Sequence, residues 1–183
     1  MKLNPGDRIT PQTLTTLESG AIPLPHPGRL THLQFRRFAG CPICNLHLRS
    51  FIGRWPEIDA SGIAEVVVFH SSREDLLKHH THVPFPLIPD PGKLLYREFG
   101  VETSWASVAD PRAWLPALRG VLTSGFTWPG RGQSPLGLPA DFLIRPDGSI
   151  AAMKRGRFAD DQWSVDELLD LASGHRDSPP ATT

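Results

Sequence analysis

The feature that most constrains this chain is the placement of its only two cysteines, Cys41 and Cys44, with just Pro42 and Ile43 between them. Cysteines that close cannot tie distant segments together, so the fold must be held by a packed core and not by a disulfide framework. A length of 183 residues suits one such core. Hydrophobic residues make up 39% and charged residues 21%, the composition of a soluble globular protein. The 19 basic residues balance the 19 acidic ones, which removes the electrostatic case for nucleic acid or an anionic membrane as partner. The N-terminal Met1 to Asp7 segment has no apolar run of signal-peptide type, and no later stretch approaches the roughly 18 apolar residues of a spanning helix. Cytoplasmic location is the expectation. A small molecule or another protein is the expected partner, and no cofactor is called for.

The order of elements can be read from periodicity and punctuation. Thr31 to Phe38 reads as a strand, although it is more polar than a fully buried strand should be. A helix is expected from the cysteine motif onward, with Ile43, Leu46, Phe51, Trp55 and Ile58 on one face, Pro42 tolerated in the first turn, Pro56 kinking or ending it and Gly62 marking the exit. Ile63 to Phe69 is a dense β-branched strand, followed by a helix start at Ser71 to Asp75. Phe85 to Ile88 reads as a short strand and Lys93 to Phe99 as a short helix closed by Gly100. Asp141 to Arg145, the turn Pro146-Asp147-Gly148 and Ser149 to Lys154 form an expected hairpin, and Ser164 caps a helix to about Leu171. This pattern predicts an α/β fold, a central mixed β-sheet flanked by helices. The predicted domain spans residues 1–172, with an irregular insertion at 102–138 and a flexible tail at 173–183.

A cysteine at a helix start meets unpaired backbone donors and the positive helix end, both of which favour thiolate. Cys41 is therefore the expected low-pKa, more exposed nucleophile. Cys44, one turn on, is the expected resolving thiol, placed to attack a mixed disulfide on Cys41. Two alternatives stay open. Half a zinc site would need two more ligands, for which His79, His80 and His82 are the available cluster, and that cluster also reads as a solvated helix end. Two inert core cysteines are the other alternative.

The segments FRRFAGCPIC, FPLIPDPGKLLYREFGV and LPADFLIRPDGSI resemble the peroxiredoxin-like branch of the AhpC/TSA (redoxin) family, within the thioredoxin-like superfamily. The resemblance runs from about Gly6 to Leu171 and is weakest from Glu102 to Leu138. It implies a thioredoxin-like fold and places Pro139 where such families carry a cis-proline opposite the active-site cysteine, guiding an extended substrate past Cys41. It also shows departures. Peroxiredoxins carry the pattern PxxxTxxC, and this chain has Gln34 and Phe38 at those places, without the peroxide-activating hydroxyl. The arginine that completes the peroxide site has no counterpart near Ala140 and Asp141. Arg36 and Arg37 are adjacent, so strand alternation sends them to opposite faces and at most one, taken as Arg37, reaches the sulfur.

These readings rank thiol-disulfide exchange through Cys41 and Cys44, with Pro42, Arg37 and Pro139 lining the substrate, above hydroperoxide reduction and above a non-enzymatic binding module. The expected partners are protein or low-molecular-weight thiols and disulfides, with a hydroperoxide as the substrate of the second reading. The segment from Glu102 to Leu138, holding Trp105, Trp114 and Trp128, is expected to cover the site or form a homodimer contact, with extension of the core as the competing reading.

Overall fold

A computed structural model describes residues 3–80, 82–101 and 138–176. The expectations for residues 102–137, the three tryptophans among them, lie outside the described residues. The chain opens with a hairpin of β1 (Gln12–Thr15) and β2 (Ala21–Leu24), which the sequence reading did not anticipate. Its strands have four residues each and β2 contains Pro23, so neither presents a legible alternation. The turn is closed by the Gly20 N–H donating to Thr16 Oγ1.

The main sheet has the order β5-β4-β3-β6-β7. Parallel strands β3 (Leu30–Arg36), β4 (Ile63–Phe69) and β5 (Leu87–Pro89) form one half; β6 (Ala140–Ile144) runs antiparallel to β3, and β7 (Ile150–Arg155) antiparallel to β6. This is the mixed sheet expected. Strand β3 ends at Arg36, two residues earlier than predicted, because Arg37 to Gly40 turn the chain toward the helix and the Cys41 N–H already donates to the Phe38 carbonyl.

Helices cover both faces. Helix α1 (Pro42–Gly53), α2 (Trp55–Ala60) and α5 (Val165–Arg176) lie over a core of Leu48, Phe51, Ile58, Val67, Phe69, Leu143, Trp163 and Leu168. Helix α4 (Leu94–Glu98) and the N-terminal segment cover the other face around Leu33, Phe35, Val68, Tyr96, Phe99 and Phe142. Helix α3 (Arg73–His79) is capped by Ser72, whose hydroxyl accepts from the Asp75 N–H. The Ser164 hydroxyl accepts from the Glu167 N–H at the start of α5, as predicted.

Two details of α1 differ from expectation. Its buried residues are Ile43, Cys44, Leu48 and Phe51, whereas Leu46 is only half-buried. The helix breaks at Arg54, and Pro56 sits in the first turn of α2, where its missing donor has no partner to lose. The proline thus starts a helix instead of ending one. Among the described residues, no helix is long and apolar enough to cross a membrane.

Candidate active site

The centre of the site is the bend between β3 and α1. The His70 N–H donates to the Arg37 carbonyl at 3.3 Å, and the Ala39 N–H donates to Ser71 Oγ at 2.9 Å, so the end of β4 holds the bend in place. Cys41 is the N-cap of α1 with extended backbone, and Pro42 occupies the first helical position, half-buried beside it. The Cys41 sulfur accepts from the Cys44 N–H at 3.3 Å and from Arg37 Nη2 at 3.0 Å. The two sulfurs are 2.6 Å apart, and both thiols are free and buried. Arg37, in the bend just past the end of β3, reaches the sulfur, while Arg36, the last residue of β3, points beneath α1.

Two thiols this close titrate as a unit. Burial opposes a charge on either one, but the Cys41 contact and the Arg37 guanidinium pull Cys44 down to about 6. Burial and the neighbouring Cys44 push Cys41 up, against the pull of Arg37. The reduced pair therefore carries one thiolate and one proton between two sulfurs at neutral pH. This corrects the expectation of an exposed, separately acidic Cys41. Its physical reason is that the N-cap turn folds both side chains under the bend, where they share a single guanidinium.

Beneath α1 lies a second cluster that the sequence reading missed. His32, Gln34 and Arg36 alternate along β3 toward the helix side, next to Glu65 on β4 and Asp141 on β6, all fully buried. His32 Nδ1 lies 2.8 Å from Glu65 and its Nε2 3.5 Å from Asp141. Arg36 donates to Asp141 at 2.9 Å, contacts His47 Nε2 at 3.0 Å and bonds the Gln34 amide oxygen. Asp141 Oδ2 accepts from the Trp163 N–H. Burial works against a charged His32, but Glu65 and Asp141 outweigh it and raise its pKa to about 9. Burial likewise works against the Asp141 carboxylate, and Arg36 and His32 hold it well below the usual range. Burial and Arg36 push His47 down, so it stays neutral. The signal in the sequence was the polarity of Thr31 to Arg36 itself: charges at alternate positions of a central strand need buried partners on the neighbouring strands.

Pro139 does not carry the expected cis bond; among the described residues the cis X-Pro bond is Leu24–Pro25. The Pro139 carbonyl accepts from the Gly156 N–H at 2.8 Å, one step beyond the Ala140–Arg155 pair, so Pro139 continues the β6–β7 ladder as extended chain. A Cβ on Gly156 would lie 2.7 Å from Pro139 Cγ, which leaves only glycine room beside it. Phe38, at the position of the family's hydroxyl residue, is buried in the core, and Gln34 belongs to the ionic cluster. His79 and His82 are exposed and His80 is buried. Among the described residues no group of three or more histidine, cysteine or acidic side chains stands ready to hold a metal.

This arrangement, a cysteine pair at a strand-to-helix bend of a mixed sheet, can be compared with known folds. The chain is similar to the peroxidoxin BcpB of Mycobacterium tuberculosis, with a TM-score of 0.70 at 16% identity over 95% of this chain and 99% of that one. It is similar to a PrxQ variant from Xylella fastidiosa, with a TM-score of 0.70 at 17% identity over 97% and 99%. A third similar structure is a putative thiol:disulfide interchange protein DsbE of Chlorobium tepidum, with a TM-score of 0.62 at 20% identity over 93% and 99%. At these identities the likeness establishes the thioredoxin-like fold. No curated protein matches the chain in sequence. The model of the AhpC/TSA antioxidant enzyme family matches residues 48–157, more than half of the chain, beginning just after the cysteine motif. By that match the chain belongs to the AhpC/TSA antioxidant enzyme family of the thioredoxin-like fold.

Proposed function

We propose that the chain is a thiol-disulfide oxidoreductase in which Cys41 and Cys44 cycle between dithiol and disulfide. The observation that carries this reading is the pair of free sulfurs 2.6 Å apart, with Arg37 donating to one of them at 3.0 Å. A guanidinium buried against a thiol has no role in an inert core, where burial would keep both cysteines protonated. With one proton shared, its movement onto Cys44 makes Cys41 the thiolate. Cys41 then attacks a sulfur of the substrate disulfide, forming a mixed disulfide and releasing the first thiolate. Cys44, giving its proton to that leaving group, attacks the Cys41 sulfur, releases the second thiolate and closes the Cys41–Cys44 bond. Two electrons pass to the substrate. Arg37 lowers the energy of each thiolate along this path, and Pro42 shapes the surface beside Cys41.

Hydroperoxide reduction is the second reading, favoured by the family match and by the same Arg37 contact. The Cys41 thiolate would attack the terminal peroxide oxygen, giving a sulfenic acid and an alcohol, and Cys44 would displace water to form the same disulfide. Phe38, in place of a hydroxyl residue, offers nothing to orient the peroxide, which ranks this reading second.

Insulin reduction with dithiothreitol as electron source tests the first reading. Activity is expected for the native chain and none for Cys41→Ser, while Cys44→Ser should accumulate a mixed disulfide on Cys41. Unchanged activity in the double serine variant would overturn both readings, and fast peroxide consumption without insulin reduction would exchange their order.

A further inference from the structure

The two parallel strands that lead to the site part from regular pairing at their last rung. The Val67 N–H donates to the Pro86 carbonyl and the Phe69 carbonyl accepts from the Asp90 N–H, so these two residues turn their backbone groups to β5. By alternation, Val68 and His70 turn theirs to β3. In a parallel ladder a residue bonds the two that flank the one across from it. Phe35 lies across from Val68 and Arg36 across from Phe69, so the regular rung after Val68 runs from the His70 N–H to the Arg36 carbonyl. That rung is absent. The His70 N–H donates one residue further on, to the Arg37 carbonyl, at 3.3 Å. The Arg36 carbonyl is taken by the Tyr96 hydroxyl, which shares its proton with the Val68 carbonyl at 3.1 Å. A side-chain hydroxyl thus occupies the last rung between β3 and β4 and leaves β3 one residue longer than its partner there. An extra residue on one strand bends that strand. The residue after the occupied rung is Arg37, whose Nη2 donates to the Cys41 sulfur at 3.0 Å.

The hydroxyl is held rigidly. The buried Tyr96 ring packs T-shaped on Phe35 at 5.0 Å and on His70 at 5.6 Å. Asp90, bonded through its own N–H to the end of β4, accepts the Leu94 and Leu95 N–H groups at 2.9 Å, which fixes the first turn of α4 to the same strand ends. A phenylalanine would fill the same apolar space, so what the hydroxyl adds is the occupied rung.

We propose that Tyr96 is a positioning residue for the thiol pair: its hydroxyl, seated in the last β3–β4 rung, offsets β3 by one residue and thereby aims the Arg37 guanidinium at the Cys41 sulfur. Tyr96 touches neither thiol and acts through Arg37. Its service to catalysis rests on the exchange reading above, whereas its effect on thiol acidity does not. Without the hydroxyl, the His70 N–H returns to the Arg36 carbonyl, β3 runs on by one residue, and Arg37 is drawn away from the sulfur. The regular rung replaces the lost bonds, so the fold keeps its stability while the thiolate loses its cation.

The test is Tyr96→Phe in the reduced full-length chain, read by the pH dependence of iodoacetamide alkylation and by a melting curve. The midpoint of the thiol pair, about 6 in the native chain, is expected to rise by about one pH unit or more, a tenfold loss of acidity. The melting temperature is expected to move by less than about 4 °C. In an Arg37→Met background, Tyr96→Phe should leave the midpoint where Arg37→Met alone puts it, because the two act in series. An unchanged midpoint in Tyr96→Phe overturns the inference. So does an equal rise with and without Arg37, or a Tyr96→Phe chain that fails to fold, since no rung has then returned. Insulin reduction by the native chain with an unchanged midpoint in Tyr96→Phe sinks this inference alone. A raised midpoint without insulin reduction by the native chain upholds the positioning and sinks the exchange reading.

Discussion

Arg36 and Arg37 are neighbours in sequence, both buried, and they serve two regions with opposite electrostatics. Arg36 enters a closed ionic cluster in which Asp141, Glu65 and His32 compensate one another within the sheet. Arg37 faces two thiols that share one proton, a pair whose charge can change. The first cluster holds shape; the second can change charge. The difference teaches that the same residue type, on either side of the point where the strand ends, separates scaffold from chemistry.

Breaking the scaffold side should have the largest effect. Asp141→Ala leaves Arg36 uncompensated and removes the acceptor for the Trp163 N–H. Loss of one partner from a buried pair costs about 3–5 kcal/mol. Thermal unfolding should drop by roughly 6–20 °C for a chain of this size, whereas the pH profile of thiol alkylation in the folded protein should keep its midpoint. A shift of that midpoint would show that the two clusters are coupled.

The same cluster sets a pH window. The folded-state pKa of His32, about 9, is raised above its unfolded value near 6.5. Its contribution to stability is then fully present below about 6.5 and lost as pH rises through about 9, on the order of a few kcal/mol. Urea unfolding between pH 6 and 10 measures it, and His32→Gln should flatten that alkaline decline; an equal decline in the variant would place the effect elsewhere.

On the chemical side, Arg37→Met should raise the first titration of the thiol pair from about 6 toward the ordinary thiol value near 8.5. At pH 7 the thiolate fraction, and with it the iodoacetamide rate, should fall about 30-fold. An unshifted profile would remove Arg37 from the site. The smallest effect serves as a control for both regions: Ser72→Ala removes the α3 cap, should cost about 1 kcal/mol, and should leave the alkylation profile unchanged.

Elements with local signatures were legible in the sequence. Ile63 to Phe69 coincides with β4, and the turn at Gly148 with its left-handed φ of 85° closes the expected hairpin. That only one of the two adjacent arginines would reach the sulfur was also expected, although it is the bend after β3, not strand alternation, that aims Arg37. What was not legible depended on distant partners. The polar residues of β3 argue against burial until Glu65 and Asp141 are seen opposite them, and Pro139 matches a family position while the ladder with Gly156 decides its conformation. The burial of both thiols is of the same kind, since a helix-start cysteine is exposed or covered according to how the preceding bend folds.

Tyr96 is the only tyrosine in the chain. From the face opposite α1, its hydroxyl donates to the carbonyl of Arg36, the last residue of β3 before the bend that carries the site, and to that of Val68 on β4. Burial and Asp90 push its ionisation well above the usual range. The molecule thus contains its own optical gauge: tyrosinate absorbance appearing in the ordinary tyrosine range would mean that the end of β3 has come loose, and following that absorbance through a redox cycle would time the opening of the bend without an added label.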